Sequence, residues 1–207
     1  TQEKVGSDLD KWIGSELNFL VSDMTTCLDN YDPTGASRRV HEFVDLLSNW
    51  YVRRSRRRFW KSENDEDKLS AYNALYTVLT TLSKLIAPFT PFLAEEMYRN
   101  LVCSVDTEAV ESVHLTRFPE AKSSLIDHQL MESARLAMRI SSMGRSARAR
   151  AGIKVRQPLE QVEVKLRSNL EGKALEQVEQ QVVDELNVKK LTVMDQDSEI
   201  YLKAQEV

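Results

Sequence analysis

The sequence predicts a mainly α protein, an antiparallel helix bundle followed by a long helix and a small α+β appendage. Three observations carry that reading. Apolar residues recur at helical spacing in four successive segments up to Val102, cap-then-proline signals punctuate them, and alternation in "VEVKL" and "VKKLTVM" near the C-terminus suggests two strands.

The first stripe is Leu9, Trp12, Ile13, Leu17, Leu20, Met24 and Leu28, with Ser7 or Asp8 as its cap. It breaks at "DPTG", where Asp32 can cap a second helix whose first position is Pro33; a missing N–H costs nothing in a first turn. That helix is expected to run to about Arg58. "KSENDED" supplies a turn and a new start, with Ser62 or Asn64 as cap and acids set against the first-turn dipole. Tyr72, Leu75, Leu79, Leu82 and Ile86 make the third stripe, which Pro88 ends. Thr90 and Pro91 open a fourth helix reaching about Val102. Each of the four faces must be covered by another, so they should pack as a bundle.

Residues 103–122 read as a surface loop ending in "HLTRFPEA". A fifth helix is expected from Ser124 to about Ala151, with Ala134, Ala137, Gly144 and Ala147 on a face able to lie close to a neighbour. "GIKVRQPL" interrupts it, and two strands then flank a helix over Leu170 to Leu186. The expected organisation is a bundle over 1–122, a basic helix and connector over 123–157, and an α+β piece over 158–207.

The composition, 42% hydrophobic and 29% charged, is that of a soluble globular protein. No apolar run approaches the roughly 18 residues of a membrane span, and residues 1–20 lack the order of a signal peptide, so a cytoplasmic location is expected. Cys27 and Cys103 are far apart without a Cys or His cluster, which argues for buried thiols rather than a disulfide framework or a zinc knuckle. A start at Thr1, in mid-pattern, suggests a fragment of something larger.

A net charge of −4 hides segregated blocks. "WYVRRSRRRFW" packs five arginines into Arg53 to Arg58, and Glu63 to Asp67 is acidic. Arg135 to Arg156 holds seven basic residues and no acid. Uniform steps of about 100° from Leu47 put Val40, Phe43, Val44, Trp50, Tyr51, Arg54 and Arg58 on the buried arc. Arg53 and Arg57 then fall at its edge and Arg56 opposite. The block can be read as internal ion pairing at a helix C-terminus. It can equally be read as nucleic-acid contact, since guanidinium forks grip phosphate and interleaved aromatic rings stack on bases. For Arg145, Arg148, Arg150, Lys154 and Arg156, both charge balance and backbone following stay open.

Catalysis has no visible home. His41, His114 and His128 stand apart from any nucleophile, there is no glycine-rich phosphate loop, and Glu95 and Glu96 point about 100° apart on a helix. No metal site is indicated.

Taken together, "FVDLLSNWYVRRSRRRFW", "NALYTVLTTLSKLIAPFTPFLAEEMY", "VHLTRFPE" and "GRSARARAGIKVRQPL" resemble the C-terminal part of the isoleucyl-tRNA synthetase family, class I enzymes, in the form shared by eukaryotic cytoplasm and some bacteria. The likeness covers residues 8–194. It implies an anticodon-binding helical domain, plus part of a C-terminal extension, without the catalytic and editing modules. The family's "HIGH" and "KMSKS" motifs, which bind ATP, do not occur here, so the chain alone is expected to be non-catalytic and to carry no cofactor. The implied partners are tRNA, isoleucine tRNA in particular, and the rest of the parent synthetase, with a monomer expected. On this reading Arg53, Arg54, Arg57 and Arg58 face the anticodon stem-loop and Trp60 offers a stacking platform. Arg145, Arg148, Lys154 and Arg156 meet the same tRNA lower down, and Trp50 belongs to the core. The competing readings are a helical module docking an acidic protein and the equivalent domain of a valyl-tRNA synthetase.

Overall fold

Reciprocal capping starts the fold. In the computed structural model, which describes residues 7–60 and 65–194, the Ser7 side chain accepts from Asp10 N–H while the Asp10 carboxylate accepts from Ser7 N–H. Helix α1 (Asp8–Asp29) follows and buries Trp12, Ile13, Leu17, Leu20, Val21 and Met24. Tyr31, in the left-handed region at φ 58°, turns the chain, and Asp32 caps α2 (Pro33–Leu46) by accepting from Gly35 N–H at 2.8 Å. A Cβ at Gly35 would come within 2.1 Å of that carboxylate, so a side chain there would have to displace the capping group.

The second helix is not uniform. A π-helical segment, Leu47–Val52, joins α2 to α3 (Arg53–Trp60). The wider turn advances each side chain by less than the α-helical 100°, so the following rows rotate by about one residue. Ser55 therefore enters the buried face where Arg54 is expected, and Arg54 is half-buried; Val44, ahead of the π segment, is exposed, contrary to expectation. Trp50 and Tyr51, inside the π segment, are buried as expected.

Helix α4 (Glu66–Ile86) is capped by Asp65, which accepts from Lys68 N–H; Ser62 and Asn64, the expected caps, lie outside the described residues. Its buried row is Ala71, Val78, Leu82, Leu85 and Ile86, rotated from the expected stripe. Tyr72 stays exposed and meets Phe59 of α3 edge-on, ring centroids 5.3 Å apart. After Thr90, α5 (Pro91–Tyr98) opens on its proline and passes into a second π segment, Arg99–Cys103. Residues 104–127 are irregular except for two short 3-10 turns, Val113–Leu115 and Ser123–Leu125. The second turn lies where the long helix is expected to begin, and that helix starts at His128 instead.

The chain divides into two units, residues 1–127 and 128–207, so the long helix shares a unit with the strands that the sequence reading sets apart from it. In the second unit, α6 (His128–Arg150) packs against α7 (Asn169–Leu186), which crosses between β1 (Leu159–Val164) and β2 (Val188–Val193). The strands are parallel, in register Leu159 with Val188 and Val164 with Val193, as a helical crossover demands. The small face of α6 does what its composition predicts: a Cβ at Gly144 would meet Leu186 of α7 at 2.6 Å. Asn187, left-handed at φ 50°, ends α7 and starts β2.

Candidate nucleic-acid interface

Arg58 is where the expected interface is corrected. Its guanidinium forks onto Asp10 of α1 at 2.7 Å from both terminal nitrogens, and its Nε donates to Asp67 of α4 at 2.8 Å. Its side chain is 13% exposed. Asp10 also accepts from Tyr51 Oη at 2.8 Å and Ser70 Oγ at 2.9 Å, so one carboxylate joins α1, the π segment, α3 and α4. Arg58 is thus an anchor of the helix that carries the other arginines.

Burial alone would raise the Asp10 pKa, but the hydrogen bonds from Arg58, Tyr51 and Ser70, with the Arg58 charge, outweigh it and hold the carboxyl down at about 2 against an ordinary 3.8. The same pairing raises Arg58, through its Asp10 hydrogen bond, and Tyr51 is raised by burial and by donating to Asp10. A carboxyl depressed on folding stabilises the native state above its unfolded pKa and loses that contribution as pH falls through the folded value. The shift corresponds to about 2 kcal/mol of stability, present above roughly pH 4 and lost toward pH 2. Urea midpoints followed by tryptophan fluorescence should fall across that window, and the fall should be shallower in Asp10→Asn.

With Arg58 fixed, the remaining arginines divide by position. The Arg53 and Arg54 guanidinium carbons lie 5.8 and 5.2 Å from the Trp50 ring centroid, and Arg53 Nε donates to Asn49 O. Arg56 and Arg57 are exposed and form no ion pair among the described residues. Arg56, which uniform helical steps send to the side opposite the buried arc, is exposed as that placement implies and adds a cation to the candidate surface. Trp60, at the end of α3, is 79% exposed.

The second basic patch separates in the same way. Arg145 pairs with Glu185 at 2.9 Å, and Arg139 pairs with Glu171. Arg148 is 5% exposed, and its guanidinium donates to four backbone carbonyls, those of Lys154, Gln157, Leu186 and Asn187, at 2.7 to 3.2 Å. Burial lowers its pKa. The expectation that Arg148 meets RNA is therefore corrected: it caps the end of α7 and ties down the 154–157 loop. Lys154 and Arg156 project from that loop, exposed and without an ion pair among the described residues.

Cys27 and Cys103 are free and half-buried, less enclosed than expected. Among the described residues no His, Cys, Asp or Glu group could hold a metal ion, and no helix is long and apolar enough to cross a membrane.

The family model for the anticodon-binding domain of tRNA ligase matches residues 10–164. An isoleucine–tRNA ligase of Dehalococcoides mccartyi is 64% identical over 186 residues, 90% of this chain and 18% of the relative. The isoleucine–tRNA ligase of Clostridium novyi is 51% identical over 160 residues, 77% of this chain and 15% of the relative. That of Thermus thermophilus is 42% identical over 194 residues, 93% of this chain and 19% of the relative. The chain thus spans less than a fifth of the length of these curated relatives. A family match over most of the chain, on a bundle whose third helix carries outward arginines, leads to one conclusion: the chain belongs to the anticodon-binding domain family of tRNA ligases.

Proposed function

We propose that the chain binds the anticodon stem-loop of isoleucine tRNA and serves an isoleucine–tRNA ligase of the form shared by eukaryotic cytoplasm and some bacteria. ATP-dependent attachment of isoleucine would be carried by other parts of that enzyme. The observation that carries the reading lies on α3: the exposed Arg56 and Arg57 lack a carboxylate among the described residues, and Trp60 stands exposed beyond them. A phosphate track can complete the guanidinium forks, and an unstacked base can lie on the indole. Arg53, one helical turn before Arg57, and Arg54 add to this surface, and in the second unit Lys154 and Arg156 are exposed cations of their own.

If four phosphates are neutralised, log affinity should fall with log salt at a slope of about −3 to −4. Filter binding of isoleucine tRNA across a salt series measures it, and a slope near zero would end the proposal. Arg56→Gln with Arg57→Gln should reduce the slope by about 2. Competition by valine tRNA at equal affinity would leave RNA binding standing and remove the isoleucine assignment.

A further inference from the structure

The motif "VHLTRFPE" has no part in the interface above, yet it lines a cavity. Its residues His114, Thr116, Arg117 and Phe118 meet Lys84 and Pro88, at the end of α4, around a space of about 220 Å³. We propose that this cavity is a nucleotide site, recognising a phosphate ester through Lys84, His114 and Arg117.

Charge comes first. Neither Lys84 nor Arg117 forms an ion pair among the described residues, and His114 is exposed beside them. Glu95, the α5 acid that reaches this loop, is already engaged: it accepts from Ser112 Oγ at 2.8 Å and Val113 N–H at 3.0 Å, and pairs with Arg99 at 3.4 Å. Those bonds, with the nearby charges of Arg99 and His114, depress its pKa; its carboxylate thus stands near His114 but pairs with neither Lys84 nor Arg117.

Geometry comes second. Glu95 and the buried Val113 fix the 3-10 turn, and Thr116 Oγ1 donates to Val113 O at 2.6 Å, so His114 and Arg117 sit on an ordered loop while Lys84 is held on the last turn of α4. Phe118 and Pro88 add flat apolar wall, suited to the face of a base or sugar. The volume lies below the roughly 300 to 1,000 Å³ of sites for drug-sized ligands, which admits a single nucleotide's phosphate end and excludes a duplex.

The site is separate from α3. Lys84 lies roughly 25 Å along α4 from Asp67, the residue that anchors Arg58. It can therefore fail or succeed independently of the α3 arginines.

The probes are adenosine monophosphate, adenosine and a short unstructured oligoadenylate, titrated into the chain and followed by backbone amide NMR. Saturable shifts are expected at Lys84, His114, Thr116 and Arg117 with both phosphorylated probes. Lys84→Gln with Arg117→Gln should weaken binding at least about tenfold, each single replacement giving part of that loss, while Arg56→Gln with Arg57→Gln leaves these shifts unchanged. Tighter binding of the oligoadenylate than of the mononucleotide identifies an RNA strand as the source; equal binding identifies a free nucleotide. Adenosine binding as well as its monophosphate, shifts that survive the double replacement, or no saturable shift at these amides would overturn the proposal.

Discussion

Replacing Asp10 with alanine should destabilise the first unit by about 3 to 5 kcal/mol, a large share of the roughly 5 to 15 kcal/mol that holds a domain folded. The reason is what the substitution leaves behind. The Arg58 guanidinium, 13% exposed, would keep only its contacts to Asp67, while Tyr51 Oη and Ser70 Oγ would lose their 2.8 and 2.9 Å acceptor. Trp12, Trp50 and Trp60, the chain's three tryptophans, all lie in this unit, so urea unfolding by fluorescence reads it directly. Asp10→Ala with Arg58→Met should recover much of the loss, because removing both ions removes the uncompensated charge. Replacing Asp8, whose pair with Lys11 is exposed, should change stability by no more than about 0.5 kcal/mol. If the Asp10 and Asp8 variants unfold at the same urea concentration, the four-partner carboxylate is not the keystone of the bundle.

The same residue marks where sequence stops being informative. Helix existence, cap identities at Ser7 and Asp32, and the proline starts at Pro33 and Pro91 are all local decisions, written within four residues, and they appear in the structure as expected. The buried arc of the arginine helix is also local, and Phe43, Leu47, Trp50, Tyr51 and Arg58 lie on it as expected; it slips at Ser55, which is buried where Arg54 is expected, because a π segment breaks the uniform step. Nothing in "LSNWYV" announces that widening. The pairing of Arg58 with Asp10 spans 48 residues, and Asp10 looks from sequence like an ordinary first-turn acid. Charge density in a segment therefore shows that cations are concentrated there. Which of them face solvent is decided by acids that arrive from other helices.

Arg148 extends that lesson to the second unit, and its loss should be comparably costly. A buried guanidinium without a carboxylate partner among the described residues is tolerable here because its charge faces the carbonyl end of α7, where it donates to Leu186 O at 2.7 Å and shares Asn187 O with Leu159 N–H. Two more of its bonds hold the carbonyls of Lys154 and Gln157, a turn further closed by Gln157 N–H to Lys154 O at 3.0 Å. Arg148→Met keeps bulk and removes four donated bonds, so about 3 to 5 kcal/mol of stability should go with it. Arg148→Lys should fall between, since an ammonium has three donors and cannot reproduce the planar fork. Hydrogen exchange gives the local readout: the amides of Gln157, Leu159 and Asn187 should exchange faster in both variants, with methionine the larger effect. Lys154 and Arg156, released from a fixed loop, should then contribute less to RNA binding and make the salt slope shallower, although Arg148 itself touches no phosphate. Equal protection of those amides in wild type and Arg148→Met would show that the loop is held by other means.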